Sequence, residues 1–299
     1  MFQDVKGFAQ FISVERGLML FMISIGATFL IVESLDLLKA VFLGVIAFCG
    51  WSAADVLNNI FDVDLDRLSD PFRAEYTKRL GKVGLMVAGG FTLVSLILGS
   101  ITMMPWVVLL IGVGLFFGVL YSAPPFRLRK TMYKPIVNIA VGSVPVLIVA
   151  AFFNVFSLST VILSLLVGVT TSVNSLWEDL ADYKSDFSSG SKTVPIIFGF
   201  RRGLFLTIIM GYVMLPLMVC VGLLFQLGWV YYAALFAVAS FVSLRLFQKR
   251  VALFKGNSDD LKRLLQLGEV LAKDFVIIAI VFTFSLMLSG LLKINPIIF

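Results

Sequence analysis

Nine apolar stretches dominate the chain, at residues 17–32, 38–55, 83–103, 106–121, 135–153, 158–175, 203–225, 229–247 and 275–292. A helix needs about 20 mainly apolar residues to cross a bilayer, so each stretch predicts one spanning helix. Short links at 33–37, near Pro105, at 154–157 and at 226–228 fall on one side of this array, and longer polar links at 56–82, 122–134, 176–202 and 248–274 fall on the other. The expected fold is an all-α polytopic membrane protein of about nine transmembrane helices, forming one domain over residues 1–299.

Composition narrows the class. Of 299 residues, 60% are hydrophobic and 14% charged, against about 45–50% and about 25% in a soluble domain. Such a chain cannot cover itself with polar surface, which excludes a soluble globular enzyme and a disordered or collagen-like chain. There is no His, so imidazole bases and His metal ligands are excluded. Cys49 and Cys220 lie inside apolar runs, which argues against a disulfide framework or a thiolate metal site. The opening MFQDVKGFAQF lacks a basic segment followed by an apolar core, so no cleaved signal peptide is expected.

Charge then orients the array. All of the 24 Lys and Arg except Lys39 and Lys293 lie on the long-link side. Positive residues stay cytoplasmic, which places the N-terminus and the long links inside and the C-terminus outside a cell membrane. The net charge of +6 therefore reads as topology and as affinity for anionic lipid or substrate. It does not imply a nucleic-acid partner, and no obligate protein partner is expected.

The acids are concentrated where basic residues would ordinarily prevail. Asp55, Asp62, Asp64, Asp66, Asp70 and Glu75 follow the second apolar stretch; Glu178, Asp179, Asp182 and Asp186 follow the sixth; together they make up more than half of the 18 Asp and Glu. Asp55, Asn58, Asn59, Asp62 and Asp66 fall at i, i+3, i+4, i+7 and i+11, one stripe of a helix, and Asp179, Asp182 and Asp186 form a second stripe. Each stripe continues from an apolar stretch, so its carboxylates should hang at the membrane boundary facing the bundle. Clustered like charges repel unless cations compensate them. With neither His nor Cys to hand, oxygen-only ligation suits Mg²⁺ or a similar hard ion, commonly shared with substrate phosphates.

The two windows are in register. Asn58, Asp62 and Asp66 match Glu178, Asp182 and Asp186 at a constant offset of 120 residues, and the basic segment Arg127, Arg129, Lys130 is echoed by Arg245, Lys249, Arg250. Four spans separate the copies, so both have the same orientation. This predicts two parallel four-helix repeats, about 10–130 and 131–250, with a ninth helix at about 275–292, arranged around a central cavity. Two acid stripes facing one another could each hold a metal and clamp a polyphosphate between them. An allylic isoprenyl diphosphate fits such a site, because its tail is apolar and the cation left when the diphosphate departs is delocalised. The aromatic side chains, 29 Phe, 7 Tyr and 4 Trp, offer π faces to that cation, though packing accounts for any one of them equally well.

Three motifs resemble those of a known family. The stretch N-N-I-F-D-V-D-L-D at 58–66 resembles the N-D-x-x-D-x-x-x-D motif of the UbiA-type intramembrane prenyltransferases, D-Y-K-S-D at 182–186 followed by Gly190, Lys192 and Thr193 resembles the family's second motif, and Y-S-A-P-P-F-R-L-R-K at 121–130 resembles its Y-S-x-P-P loop. The resemblance covers essentially the whole chain and implies a prenyltransferase that uses Mg²⁺, two ions in all. It implies catalytic roles for Asp62, Asp66, Asp182, Asp186 and Tyr121, with Tyr121 near the isoprenyl C1. Asn58, Asp62 and Asp66 would hold one Mg²⁺, and Asp182 and Asp186 the other, assisted by Asp179. Arg16, Asn58, Arg127, Lys130 and Lys192 would bind the diphosphate, with Arg16 and Arg127 also readable as positive-inside anchors. Asn59 departs from the family pattern, standing where Asp is usual, and removes one carboxylate from the first site.

The implied partners are an isoprenyl diphosphate, a lipophilic or aromatic acceptor and the bilayer. The rival reading from another class is a cation-coupled transporter, since paired repeats and boundary carboxylates also move ions; the acids lie at one face and not at the midplane, which favours the enzyme. Residues 257–273 read as a separate amphipathic helix carrying Leu261, Leu264, Leu265 and Val270, capped by Asn257 or Ser258.

Overall fold

A computed structural model describes residues 2–254 and 261–294, and all regular structure in them is helical. In chain order the helices are α1 (Phe2–Phe11), α2 (Val14–Val32), α3 (Leu37–Phe61), α4 (Val63–Ser69), α5 (Pro71–Leu80), α6 (Lys82–Ile101) and α7 (Pro105–Ser122). After a short 3₁₀ turn at Leu128–Lys130 come α8 (Lys134–Phe153), α9 (Leu158–Ala181), α10 (Tyr183–Ser188), α11 (Val194–Phe198), α12 (Phe200–Leu224), α13 (Trp229–Phe254) and α14 (Leu261–Ile294). Among the described residues, nine helices are long and apolar enough to cross a membrane: α2, α3, α6, α7, α8, α9, α12, α13 and α14.

Local sequence explains the helix ends. The four short links each reverse at a residue in the left-handed region, Glu33, Met103, Asn154 and Gln226, a conformation that ends a helix within one residue. Asp36 caps α3 by accepting from the Lys39 amide at 3.1 Å, Ser157 caps α9 by accepting from the Thr160 amide at 3.2 Å, and Pro opens α7 and α8, where its missing N–H costs nothing.

Helices α3 and α9 form the interior of the bundle. The first packs against α2, α6 and α7, the second against α8, α12 and α14, while α7 meets α8 and α14 meets α2 to close the ring. The tightest crossing is α8 on α9: Gly142 and Gly168 face one another there, and a Cβ on Gly168 would come within 2.5 Å of the Ile139 carbonyl oxygen. Outward positions such as Met86, Phe116 and Phe236 stay exposed, as a lipid-facing surface requires.

The two acid windows have the same local shape. Helix α3 breaks at Asp62 (φ −111°, ψ 10°) and restarts as α4; α9 breaks at Asp182 (φ −87°, ψ 8°) and restarts as α10. In each, the backbone bonds run on through the break, from Asp62 to Asn58 and Asp66 to Asp62 in one, and from Asp182 to Glu178 and Asp186 to Asp182 in the other. Helix α10 packs against α4, so the windows meet.

One expectation needs correction. The separate amphipathic helix at 257–273 and the ninth span at about 275–292 are one continuous helix from Leu261 to Ile294. No Gly or Pro stands at the junction, and Asp274 there is met by Arg245 of α13 at 3.1 Å. The expected caps Asn257 and Ser258 lie outside the described residues.

Candidate active site

Helix α3 aims Trp51, Asp55 and Asn58 inward, and α9 aims Asn174 and Glu178 from the opposite side. With Arg16 of α2, Tyr121 of α7, Arg129 of the 3₁₀ turn and Lys134 of α8, they enclose a polar chamber of about 120 Å³ at the end of the bundle where the acid windows lie. Asp66 and Asp182 also stand in its wall.

Nearly every acid here is matched by a base. Asp62 is fully buried and accepts from Arg127 at 3.1 Å and from Arg129. Arg129 also donates to the Asn58 amide oxygen at 3.2 Å, which Ser122 approaches at 3.4 Å. Arg73 pairs with Asp66 at 3.1 Å. Arg16 lies 2.7 Å from Glu178 and 3.8 Å from Asp55, while Asn174 donates to Glu178 at 3.0 Å. Lys134, itself buried, lies 2.5 Å from Asp179 and 4.0 Å from Glu178. Asp186 accepts from Thr193 at 3.3 Å. Removing carboxylates from water this completely requires such pairing. Asp182 is pushed up to about 6 by burial; Asp66 is raised by burial against the opposing pull of Arg73; Lys130 is lowered by burial and then by neighbouring Arg127.

Of the residues singled out in the sequence, Arg16, Asn58, Asp66, Tyr121 and Asp182 line the chamber directly. Asp62 sits one side chain behind the wall, joined to it through Arg129, and Asp179 sits behind Lys134. Arg127, Lys130, Lys192 and Asp186 are outside the chamber lining. Lys192 is exposed, and its backbone N–H donates to the Lys130 carbonyl at 2.7 Å, stitching the two loops together. Asn59 does not belong with the others. It is buried on another face of α3, and its amide donates at 2.8 Å to the Phe11 carbonyl at the end of α1. The departure from the family pattern at this position therefore serves packing and is not in the chamber.

Sequence reasoning missed Arg73, Lys134 and Asn174 as lining residues, and it placed Glu178 in the second acid window and Arg129 in the basic segment without giving either a role at the site. Lys134 left one signal, a lone cation at the start of an apolar stretch; Asn174 and Glu178 continue the second acid stripe back into α9 at helical spacing. Arg73 left none, since its reach to Asp66 depends on the angle between α4 and α5.

A second cavity opens from the first. It has about 450 Å³, lies between α2, α9 and α14, and is walled by apolar side chains including Met19, Ile23, Val167, Ala279 and Phe282. Arg16, Trp51, Thr171, Asn174 and Glu178 border both cavities. A charged chamber joined to an apolar one of this size suits an amphiphile with a strongly anionic head and a hydrocarbon tail.

The acid side chains, as they stand, do not form a closed metal cage: among the described residues no three are grouped to hold an ion. The donors are nonetheless all oxygen, one oxygen of Asp179 is buried without a hydrogen-bond partner, and Asp66 and Asp182 both line the chamber. That donor chemistry fits a hard divalent ion.

Fold and site together define an intramembrane helical protein built around a chamber lined by paired acidic and basic side chains. Residues 19–253 match the model of the UbiA prenyltransferase family, and the chain belongs to that family. A digeranylgeranylglyceryl phosphate synthase of Haloquadratum walsbyi (strain DSM 16790 / HBSQ001) is 22% identical over 148 residues; the match spans 50% of this chain and 51%, about half, of that one. Among solved structures, one described with the biosynthetic mechanism of digeranylgeranylglyceryl phosphate synthase superposes with TM-score 0.68 at 16% identity, covering 96% of this chain and 98% of that one. A UbiA homologue from Archaeoglobus fulgidus bound to GPP and Mg²⁺ gives 0.63 at 16%, covering 91% and 99%. An apo homologue from Aeropyrum pernix K1 gives 0.65 at 16%, covering 89% and 98%. At these identities the likeness establishes the fold.

Proposed function

We propose that this protein transfers an isoprenyl group from an allylic isoprenyl diphosphate to a lipophilic or aromatic acceptor, using Mg²⁺, two ions in all, at the cytoplasmic face of the cell membrane. The observation that carries this reading is the junction of a charged chamber with a large apolar one. Family membership and the Archaeoglobus fulgidus homologue solved with GPP and Mg²⁺ support it. The positive-inside distribution of Lys and Arg supports a cytoplasmic N-terminus and an outer C-terminus.

In this reading Asn58, Asp62 and Asp66 hold one ion and Asp182 and Asp186, with Asp179 behind them, hold the other. When bound, Mg²⁺ supplies charge neutralisation for the departing diphosphate. The remaining work falls to the chain's own groups. Arg16, Arg73, Arg129 and Lys134 surround the chamber with positive charge; Arg127, Lys130 and Lys192 stand on the nearby loops to meet the outer oxygens. The C1–O bond breaks with its electron pair leaving on the diphosphate. Tyr121 stands in the chamber wall beside the resulting allylic cation, the acceptor's electron pair forms the new bond to C1, and the proton the acceptor loses passes to the diphosphate. The apolar walls keep water from C1.

The test is incubation of purified protein with isotope-labelled geranyl or geranylgeranyl diphosphate, with and without Mg²⁺, against hydroxybenzoate, naphthoate and prenylated glycerol phosphate acceptors. Mg²⁺-dependent transfer is expected, with Asp62→Ala and Asp182→Ala each reducing it at least about a hundredfold. Undiminished turnover in both variants would overturn the assignment.

A further inference from the structure

A third cavity joins the same chamber, and the roles assigned so far give it no occupant. It is narrow, about 40 Å³, and lies between α3, α6, α7 and α8. Its walls are Ile46, Ala47, Leu115, Val144 and Ile148, with Gly50 and Gly114 making room. The hydroxyl among them, that of Ser95, is turned to the Ile46 carbonyl at 3.3 Å. The arm therefore offers its occupant only apolar contact.

Trp51 borders all three cavities. Its indole N–H donates to Asp55 at 3.0 Å, and Asp55 lies 3.8 Å from Arg16. The ring is thus fixed by the charged network of the chamber, and it stands at the fork between the wide arm and the narrow one. The two necks differ in chemistry. The wide arm meets the chamber past Arg16, Thr171, Asn174 and Glu178, a polar passage through which a diphosphate can move with its chain trailing. The narrow arm meets it past Trp51, Ala54 and Val141 alone. A charged head cannot cross that neck without losing its hydration unpaid by any partner, whereas an uncharged apolar group can.

We propose that the narrow arm binds the apolar end of the prenyl acceptor, a compact ring or short branched chain, while the wide arm holds the donor's isoprenyl chain, and that Trp51 is the specificity-determining residue that keeps the two apart. This rests on the transferase reading above. Two arms that converge on one chamber let both substrates be bound at once, with the acceptor's reactive end reaching C1 from the side opposite the donor chain. The size of the narrow arm selects against acceptors whose buried end is a long lipid chain.

The experiment measures KM for each substrate separately in wild type, Gly114→Val and Ala279→Phe. A Cβ at Gly114 would sit 3.4 Å from Val144, so the added side chain occupies the narrow arm; Ala279 lines the wide arm. Gly114→Val is expected to raise the acceptor KM at least tenfold with the donor KM within twofold, and Ala279→Phe to do the reverse. Trp51→Phe, which removes the bond to Asp55, is expected to widen the range of acceptors used. Binding of a non-ionising thiolo analogue of the donor, measured by calorimetry, shows that each variant is folded; if Gly114→Val fails this, Gly50→Ala, whose Cβ lies 3.4 Å from Ser95, takes its place. A rise in donor KM on filling the narrow arm, or no change in acceptor KM, overturns the proposal while leaving the transferase reading intact. A wild-type protein that binds the analogue but transfers to no acceptor overturns the reading on which both rest.

Discussion

Asn59 shows how a residue inside a motif can serve a different purpose from its neighbours. It stands beside Asn58 in the sequence, yet α3 turns it about 100° away, where its amide holds the Phe11 carbonyl. Asn59→Asp is therefore expected to lose a donor and place a carboxylate against a carbonyl oxygen, costing about 1–3 kcal/mol. A lower melting temperature in detergent with unchanged Mg²⁺ affinity is the expected result; tighter Mg²⁺ binding would show instead that residue 59 reaches the chamber. Lys134 and Asp179 make the complementary case. Asp179→Asn leaves the buried Lys134 ammonium with only the more distant Glu178 carboxylate at 4.0 Å and should cost about 3 kcal/mol, while the double change Lys134→Met with Asp179→Leu should cost less than the single one, as thermal melts of the set would record. The acids of both windows were legible in the sequence because carboxylates repeating at helical spacing, directly after an apolar span, mark one face of a continuing helix. Their cationic partners were less so. Arg129 reaches Asp62 from 67 residues away and Arg16 reaches Glu178 from 162 away, and no local pattern encodes a contact at that separation.

At the scale of the helix, apolar runs located all nine spans, but they set the wrong limits wherever polar residues continue a helix beyond the bilayer core. Helix α3 runs on past Asp55 to Phe61, and α9 past Ser175 to Ala181, since Asn, Asp and Glu on an inward stripe do not interrupt backbone hydrogen bonding. In α14 the same effect hid a continuous helix, because the charged residues Lys273 and Asp274 lie between the amphipathic segment and the apolar run. The pairing of helices is set by finer features. The α8–α9 crossing depends on Gly168 meeting the α8 backbone at Ile139, and on Ser143 donating to the Ser164 carbonyl at 2.8 Å. Gly168→Ala should push these helices apart and cost about 1–3 kcal/mol, whereas Gly112→Ala, with open space around it, should be neutral or slightly stabilising through helix propensity. Equal melting temperatures for the two variants would show that the crossing tolerates a wider separation.

For the whole molecule, the balance of charge in the chamber predicts how its ligands bind. Arg16, Arg73, Arg129 and Lys134 face Asp55, Asp66, Glu178 and Asp182 across one small volume, so the protein alone is close to neutral there. A divalent cation arriving by itself must compete with Arg127 and Arg129 for Asp62 and takes from both guanidinium groups the carboxylate they share. A diphosphate arriving by itself offers the arginines a partner but brings its own charge into a space already holding four carboxylates. Bound together, each ligand neutralises what the other leaves exposed. The affinity for Mg²⁺ is therefore expected to rise at least about tenfold, about 1.4 kcal/mol, when a non-ionising diphosphate analogue is present, and the analogue's affinity to rise by the same factor with Mg²⁺. Arg129→Gln should split the two effects: it releases Asp62, so Mg²⁺ alone binds more tightly, while analogue binding weakens and the coupling shrinks. Calorimetric titration of each ligand with and without the other measures all of these quantities. Independent binding of the two ligands in the wild type would mean that the arginine–aspartate pairs do not yield to substrate, and that the diphosphate is held by the loop cations Lys130 and Lys192 instead.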